Sequence, residues 1–178
     1  MNSSFRLQRL VNFSVARRHL SERFNITGTL ATSGPVVGAF AEVKHTFPQA
    51  EVNQFAGICG DNNRLHTDPE FAKGTMFGNT IVHGILVSSL FSTLFGRSIE
   101  GAVYVSQSLS FKSPVYVNTE VVTRMQVLRS EVKRKGTLLV CSTTVHIAGS
   151  NMLAVDGEAK VLLPFPTNSS KIEPSIGK

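Results

Sequence analysis

Little in this sequence offers covalent or metal reinforcement. Only two cysteines occur in 178 residues, Cys59 and Cys141. They show no C-x-x-C spacing and no framework pattern, which fits a reducing compartment or two incidental buried thiols rather than a disulfide scaffold. Long hydrophobic runs are missing as well. The longest apolar stretch, residues 81–95, is interrupted by His83, Gly84, Ser88, Ser89, Ser92 and Thr93. A helical membrane span needs roughly 20 apolar residues, so none is expected. There is no internal repeat and no low-complexity segment. Acidic residues are scarce at the start: in residues 1–30, Arg6, Arg9, Arg17, Arg18 and Arg23 face Glu22 alone. An Arg-rich, Ser-containing, acid-poor start has the composition of a mitochondrial transit peptide. Phe5, Leu7, Leu10, Val11 and Phe13 interleave with the arginines as an amphipathic helix would require. The other reading is a basic tail that binds nucleic acid or stays solvated. The expectation is a targeting segment over residues 1–30, outside the fold, and a mitochondrial matrix location.

What remains is ordinary globular material. Apolar residues make up 42% and charged residues 17%, and the net charge of +6 sits mostly on the arm. One domain is expected over residues 31–165, large enough to bury a core without disulfide or metal, followed by a proline-bearing tail over 166–178. Residues 36–47 read as a strand, and Pro48 suits the first turn of a helix that runs to about residue 60. Val52, Phe55, Ala56 and Cys59 give that helix its apolar stripe. A polar loop follows, and Asp68-Pro69-Glu70 marks a second helix start with Asp68 as N-cap. Residues 82–95 read as a helix apolar almost all round, hence buried, stopped by Gly96. Residues 102–117, 120–132, 137–148 and 152–163 then read as strands. Lys133-Arg134-Lys135-Gly136 and Gly149-Ser150-Asn151 read as the turns. Short turns between sequential strands make a meander, and a buried helix must be covered by the sheet it packs on. The fold class is therefore α+β, a curved antiparallel sheet around a central helix. The sheet edges favour pairing into a homodimer.

Two segments bear chemistry. In Gly60-Asp61-Asn62-Asn63-Arg64-Leu65-His66 a carboxylate and an imidazole stand five residues apart on a polar loop. Acid–base catalysis needs two such groups at one reacting centre, and histidine titrates near neutrality. By spacing alone the pair reads rather as a capped turn with a satisfied loop histidine. In Ile81-Val82-His83-Gly84, a glycine stands where the apolar helix begins. A helix N-terminus offers unpaired N–H groups, and a glycine lets a substrate carbonyl approach them, as an oxyanion site requires. The alternative is that Gly84 relieves crowding and His83 bonds a loop carbonyl.

Together the runs G-D-x-N-x-L-H-x-D and F-G-x-x-I-V-H-G-I-L resemble the MaoC-like family of (R)-specific enoyl-thioester hydratases and dehydratases. The segment Tyr104-Val105-Ser106-Gln107-Ser108-Leu109-Ser110-Phe111-Lys112-Ser113-Pro114-Val115 is similar to that family's strand. With the basic arm, the nearest branch is that of the mitochondrial 3-hydroxyacyl-thioester dehydratases of type 2. The resemblance spans about residues 36–163. It implies the hot-dog fold, a homodimer and an acyl-thioester substrate on acyl carrier protein or CoA. It implies no metal and no other cofactor. Asp61 and His66 match the catalytic pair, Gly84 the glycine whose N–H meets the thioester carbonyl, and Asn63 the asparagine that shapes the loop. His83 stands beside Gly84 as further support. Ser92 is expected either to face the site and hold the catalytic loop, or to bond the carbonyl one turn back. Arg64 replaces the family's usual proline. It removes a φ restraint and either brings a cation to the pair or points outward to a phosphate. Cys59, where the family more often has serine, is read as buried and structural.

Other functions fit parts of the sequence. An (R)-specific enoyl-CoA hydratase of β-oxidation would share the site, although the last residues Ser175-Ile176-Gly177-Lys178 are not an SKL-type address. A hot-dog thioesterase would need a carboxylate placed to activate water at the carbonyl. A non-catalytic thioester-binding module would explain Arg64. The cluster Arg129, Lys133, Arg134 and Lys135 is either a solvated hairpin end or a dock for an acidic carrier. Phe91, Leu94 and Phe95 either line an acyl pocket or pack the core. The domain shows no nucleic-acid recognition motif.

Overall fold

The computed structural model describes residues 24–31 and 35–165. The arginine-rich arm to residue 23 and the tail from residue 166 lie outside the described residues. The chain runs β1 (Ile26–Ala31), β2 (Pro35–Thr46), α1 (Gln49–Cys59), α2 (Arg64–Thr67), α3 (Pro69–Lys73), α4 (Gly84–Ser98), β3 (Val103–Gln107), β4 (Ser110–Phe111), β5 (Glu120–Lys133), β6 (Gly136–Ile147) and β7 (Met152–Pro164). All pairings are antiparallel. The sheet order is β1-β2-β5-β6-β7-β3, with β4 also on β7.

Strands β5 and β6 form because alternate residues are apolar and one face can be buried. Val121, Met125 and Val127 of β5 and Leu139, Cys141 and Val145 of β6 point into the core. Register shifts at Thr29/Ala31, Val127/Arg129 and Val145/His146 are bulge-like irregularities, which bend strands. The sheet curves round α4, which packs on β1, β2, β5 and β6. Val87, Leu90, Phe91 and Leu94 are the helix's buried face. Burying each such side chain stabilises the fold by about 1.5–3 kcal/mol.

Four expectations change. The fold starts before residue 31, because β1 pairs with β2 and its Leu30 is fully buried. Helix α4 passes through Gly96, where nothing crowds the backbone, and ends at Ser98. A single glycine on an exposed turn costs too little to stop a helix anchored by a buried face. The helix is not buried all round either, since Ile85, Ser89, Ser92 and Gly96 form an exposed stripe. The expected strand 102–117 breaks into β3 and β4. Beyond them Pro114, lacking an N–H, cannot extend a ladder, and Tyr116 makes an isolated bridge to Ile81. Phe91, Leu94 and Phe95 are core residues, 0–3% exposed.

Candidate active site

Helix α1 ends at Gly60, which takes a left-handed conformation (φ 79°) and donates its N–H to the Ala56 carbonyl. That turn is available to glycine at little cost. It delivers Asp61 to the mouth of a cavity of about 500 Å³ lined by Phe55, Cys59, Asp61, His66, Phe77, Ile81, Val82, His83, Gly84, Ile85, Val87, Phe111, Lys112, Ser113, Pro114, Val115 and Val155. Val82, Val87, Val115 and Val155 form a buried apolar floor, while Asp61, Ile85, Phe111 and Lys112 are exposed at the rim.

Each polar group here has its orientation fixed by a bond elsewhere. Asp61 Oδ1 accepts the Asn63 N–H at 3.2 Å, which leaves Oδ2 facing the rings of His66 (4.0 Å) and His83 (3.9 Å). Asn63 is the N-cap of α2, its Oδ1 accepting the Leu65 N–H at 3.0 Å. His66 Nδ1 lies 2.7 Å from the Ile81 carbonyl. A carbonyl can only accept, so Nδ1 carries the proton and the neutral ring keeps its lone pair on Nε2, the nitrogen nearest Asp61. His83 Nε2 likewise donates to the Asp61 backbone carbonyl at 3.0 Å. The two imidazoles stack with centroids 3.8 Å apart, and Phe55 meets His83 edge-on at 5.2 Å. His83 is 3% exposed and its Nδ1 finds no partner among the described residues. His83 therefore fastens the Asp61 backbone and backs the His66 ring.

Asp61, His66 and His83 place one ligand atom each within 4.8 Å of one another. The donor set is poorly suited to an ion. His83 would have to give up its Nε2–H bond to Asp61 and move the proton to Nδ1, which is buried among groups that accept nothing from it.

Gly84 opens α4 and lines the cavity, at the end of the helix where the first N–H groups have no partner within the helix. A Cβ there would stand 2.6 Å from the Phe111 ring, so only glycine lets that ring pack against the start of α4. Ser88 and Ser89, not Ser92, make the back-bonds to the previous turn, to the Gly84 carbonyl at 2.8 Å and the Leu86 carbonyl at 2.6 Å.

The structure thus brings Asp61, Asn63, His66, His83 and Gly84 together. It does not bring Ser92, which lies two helical turns past Gly84 on the exposed stripe, outside the cavity. Neither alternative for Ser92, a bond to the loop or to the carbonyl one turn back, is formed among the described residues. Cys59 is a further correction. It is exposed and lines the cavity, its Sγ accepting the Asp61 N–H at 3.4 Å, because the left-handed turn at Gly60 opens the end of α1 to solvent. Arg64 turns away from the pair. Its guanidinium binds Asp68 (3.0 and 2.7 Å) and lies 4.4 Å over Phe71. Asp68 caps α3 through the Phe71 N–H, and that bond, then Arg64, holds its carboxyl below the usual value. Gln49 and Thr80, which bond around His66, went unread in the sequence, since a glutamine opening a helix carries no pattern.

A MaoC like domain is matched over residues 29–149. The chain is 42% identical over 130 residues to an (R)-specific enoyl-CoA hydratase of Aeromonas caviae, covering 72% of this chain and 95% of the relative. It is 36% identical over 128 residues to a mitochondrial 3-hydroxyacyl-[acyl-carrier-protein] dehydratase of Arabidopsis thaliana, covering 72% of this chain and 77% of the relative. Among solved structures, the (R)-hydratase from A. caviae involved in PHA biosynthesis superposes with a TM-score of 0.70 at 41% identity, over 75% of this chain and all of that one. A matched domain over most of the folded length, relatives at this identity and a sheet wrapped on one helix lead to one conclusion: the chain belongs to the MaoC-like dehydratase family and has its hot-dog fold.

Proposed function

We propose that this chain is a hydro-lyase that interconverts (3R)-3-hydroxyacyl-thioesters and trans-2-enoyl-thioesters, with Asp61 and His66 as its acid–base pair. One observation carries the reading. The Ile81 carbonyl fixes the His66 tautomer, so a basic Nε2 and the free Oδ2 of Asp61 stand 4.0 Å apart at an apolar cavity. One water or one hydroxyl can bond both groups at that separation.

The chemistry follows from the placement. An acyl chain in the cavity brings its thioester carbonyl to the start of α4. Charge that builds on that oxygen as C2 loses its proton meets the Gly84 N–H at the positive end of the helix. C2 and C3 then lie beside the pair. In dehydration one group takes the C2 proton while the other protonates the departing 3-hydroxyl, which leaves as water. In hydration the same two groups split one water between C3 and C2. The steps belong to the pair and not to one residue each. The names of the relatives support CoA and acyl carrier protein as the two carriers of the thioester.

The test is hydration of crotonyl-CoA, followed by loss of enoyl-thioester absorbance, with Asp61→Asn and His66→Asn alongside. The wild type gives the (3R) product. Each variant loses about 10²–10⁴-fold in kcat. Full activity in either variant removes that residue from the pair, and release of free thiol would instead indicate a thioesterase.

The same reading extends to place and assembly. The composition of residues 1–30 and the mitochondrial relative of Arabidopsis thaliana support a matrix enzyme working on acyl carrier protein. A reporter carrying those residues, followed into mitochondria, checks it. Apolar edge strand β3 supports a homodimer.

A further inference from the structure

The catalytic loop and the segment before α4 are separate pieces of chain, and two bonds already tie them. Ile81 N–H donates to the Leu65 carbonyl at 3.1 Å, and His66 Nδ1–H donates to the Ile81 carbonyl at 2.7 Å. A third element reaches both. The Gln49 side chain, from the first turn of α1, donates through Nε2 to the His66 carbonyl at 2.7 Å. Its Oε1 accepts the Thr80 hydroxyl at 2.9 Å. Thr80 is 2% exposed, its N–H donates to Asn79 Oδ1 at 2.8 Å, and its carbonyl accepts the Val117 N–H at 3.2 Å. It is therefore a fixed anchor. The amide has only one orientation that satisfies both ends, because the His66 carbonyl cannot donate.

We infer that Gln49 is a positioning residue for the acid–base pair, a clamp between Thr80 and the His66 backbone that sets the direction of Nε2. The inference rests on the assignment of Asp61 and His66 made above. The His66 ring is aimed by its Nδ1 bond, and that bond keeps its length only if the His66 backbone stays at its present distance from residues 80–81. The loop's own bonds, from Asn63 to Leu65 and His66, hold its shape but not its distance from Ile81. The Ile81–Leu65 bond holds that distance one residue before His66, and Gln49 holds it at His66 itself. It is not among the residues lining the cavity.

The test separates positioning from binding and from folding. Gln49→Met removes both bonds, and with them an exposed one to Asn53 Oδ1 at 2.9 Å, at similar volume. Gln49→Glu keeps an acceptor for Thr80 but sets a carboxylate oxygen against the His66 carbonyl. Thr80→Val breaks the clamp at its other end, and Thr80→Ser keeps the hydroxyl. In crotonyl-CoA hydration both Gln49 variants and Thr80→Val should lose about 10- to 100-fold in kcat, the cost of small misplacement. KM should stay within about threefold, since the acyl cavity is untouched, and Thr80→Ser should recover what Thr80→Val loses. The double variant Gln49→Met/Thr80→Val should be no worse than either single one, because both cut one link. Thermal melting sets the folded fraction, so that kcat is read per folded molecule. Unchanged kcat in Gln49→Glu and Thr80→Val, or a rise in KM with kcat intact, would overturn the clamp. Asp61→Asn in the same assay keeps the two ideas apart. An inactive Asp61→Asn beside fully active Gln49 variants sinks the clamp alone, whereas an active Asp61→Asn sinks the acid–base assignment beneath it.

Discussion

At Gly84 a single methyl group decides whether the Phe111 ring can pack against the start of α4. The added Cβ would meet three atoms of the Phe111 ring at 2.6–3.0 Å. That ring belongs to an exposed side chain and can swing aside, so the fold should tolerate the change better than catalysis does. Gly84→Ala is expected to melt near the wild type yet lose most of its hydration rate, because the methyl pushes the Phe111 ring out of its place in the cavity wall. Replacing Phe111 by leucine in that variant tests the cause. Partial recovery of rate supports the steric account, and none points to the glycine backbone itself. The two thiols differ at this scale too. Burial raises the Cys141 thiol to about 12, with Glu158 adding to it, while Cys59 stands in the open mouth of the cavity.

Between the catalytic residues and the core stand two short helices that could not persist alone. Both α2 and α3 exist through their caps, Asn63 and Asp68. Arg64, the residue that departs from the family's proline, is part of this device. It occupies the first position of α2 and ties down the cap of α3, away from Asp61. Protonation of Asp68 should release it. Its folded carboxyl titrates below the ordinary 3.8, first through the Phe71 N–H and then through Arg64. Its stabilising effect is therefore complete above the unfolded value and lost as pH falls through the folded one. Urea midpoints of wild type and Asp68→Asn should differ at pH 7 and converge below about pH 4. A constant gap across that range would mean that the charge of Asp68 contributes nothing.

For the molecule as a whole, the unfinished surface is the edge of the sheet. Among the described residues strand β3 pairs only with β7, and Val103, Tyr104 and Val105 are 38–54% exposed along it. An apolar edge of this length is a liability unless something covers it, and a second copy is the proposed cover. Light scattering should give twice the chain mass of 19.3 kDa, and Val105→Asp should reduce it towards a single chain. A single-chain mass for the wild type would refute the dimer. The basic hairpin at Lys133, Arg134 and Lys135 is exposed, with Lys133 paired to Glu131 at 2.7 Å.

Local rules determined much of this protein directly from its sequence. Alternation and turn residues placed β2, β5, β6 and β7 to within a residue, and the apolar run gave α4, because burial of one face decides such elements. Asp61, His66, Asn63 and Gly84, which the fold brings together, all stand within the family's two motifs. What the tertiary structure decided depended on partners distant in sequence. The His66 tautomer is set by a backbone carbonyl 15 residues on, and Gln49 reaches that histidine across 17 residues. Whether Cys59 is buried, which way Arg64 points and where Ser92 lies were likewise settled by how the helices and loop pack. Strand β1 was masked by its neighbourhood, a short run beside a basic arm that pairing with β2 alone makes a strand. Hydrophobic period is local and can be read along the chain, whereas the direction of a lone pair is fixed by a hydrogen bond that exists only once the chain has folded.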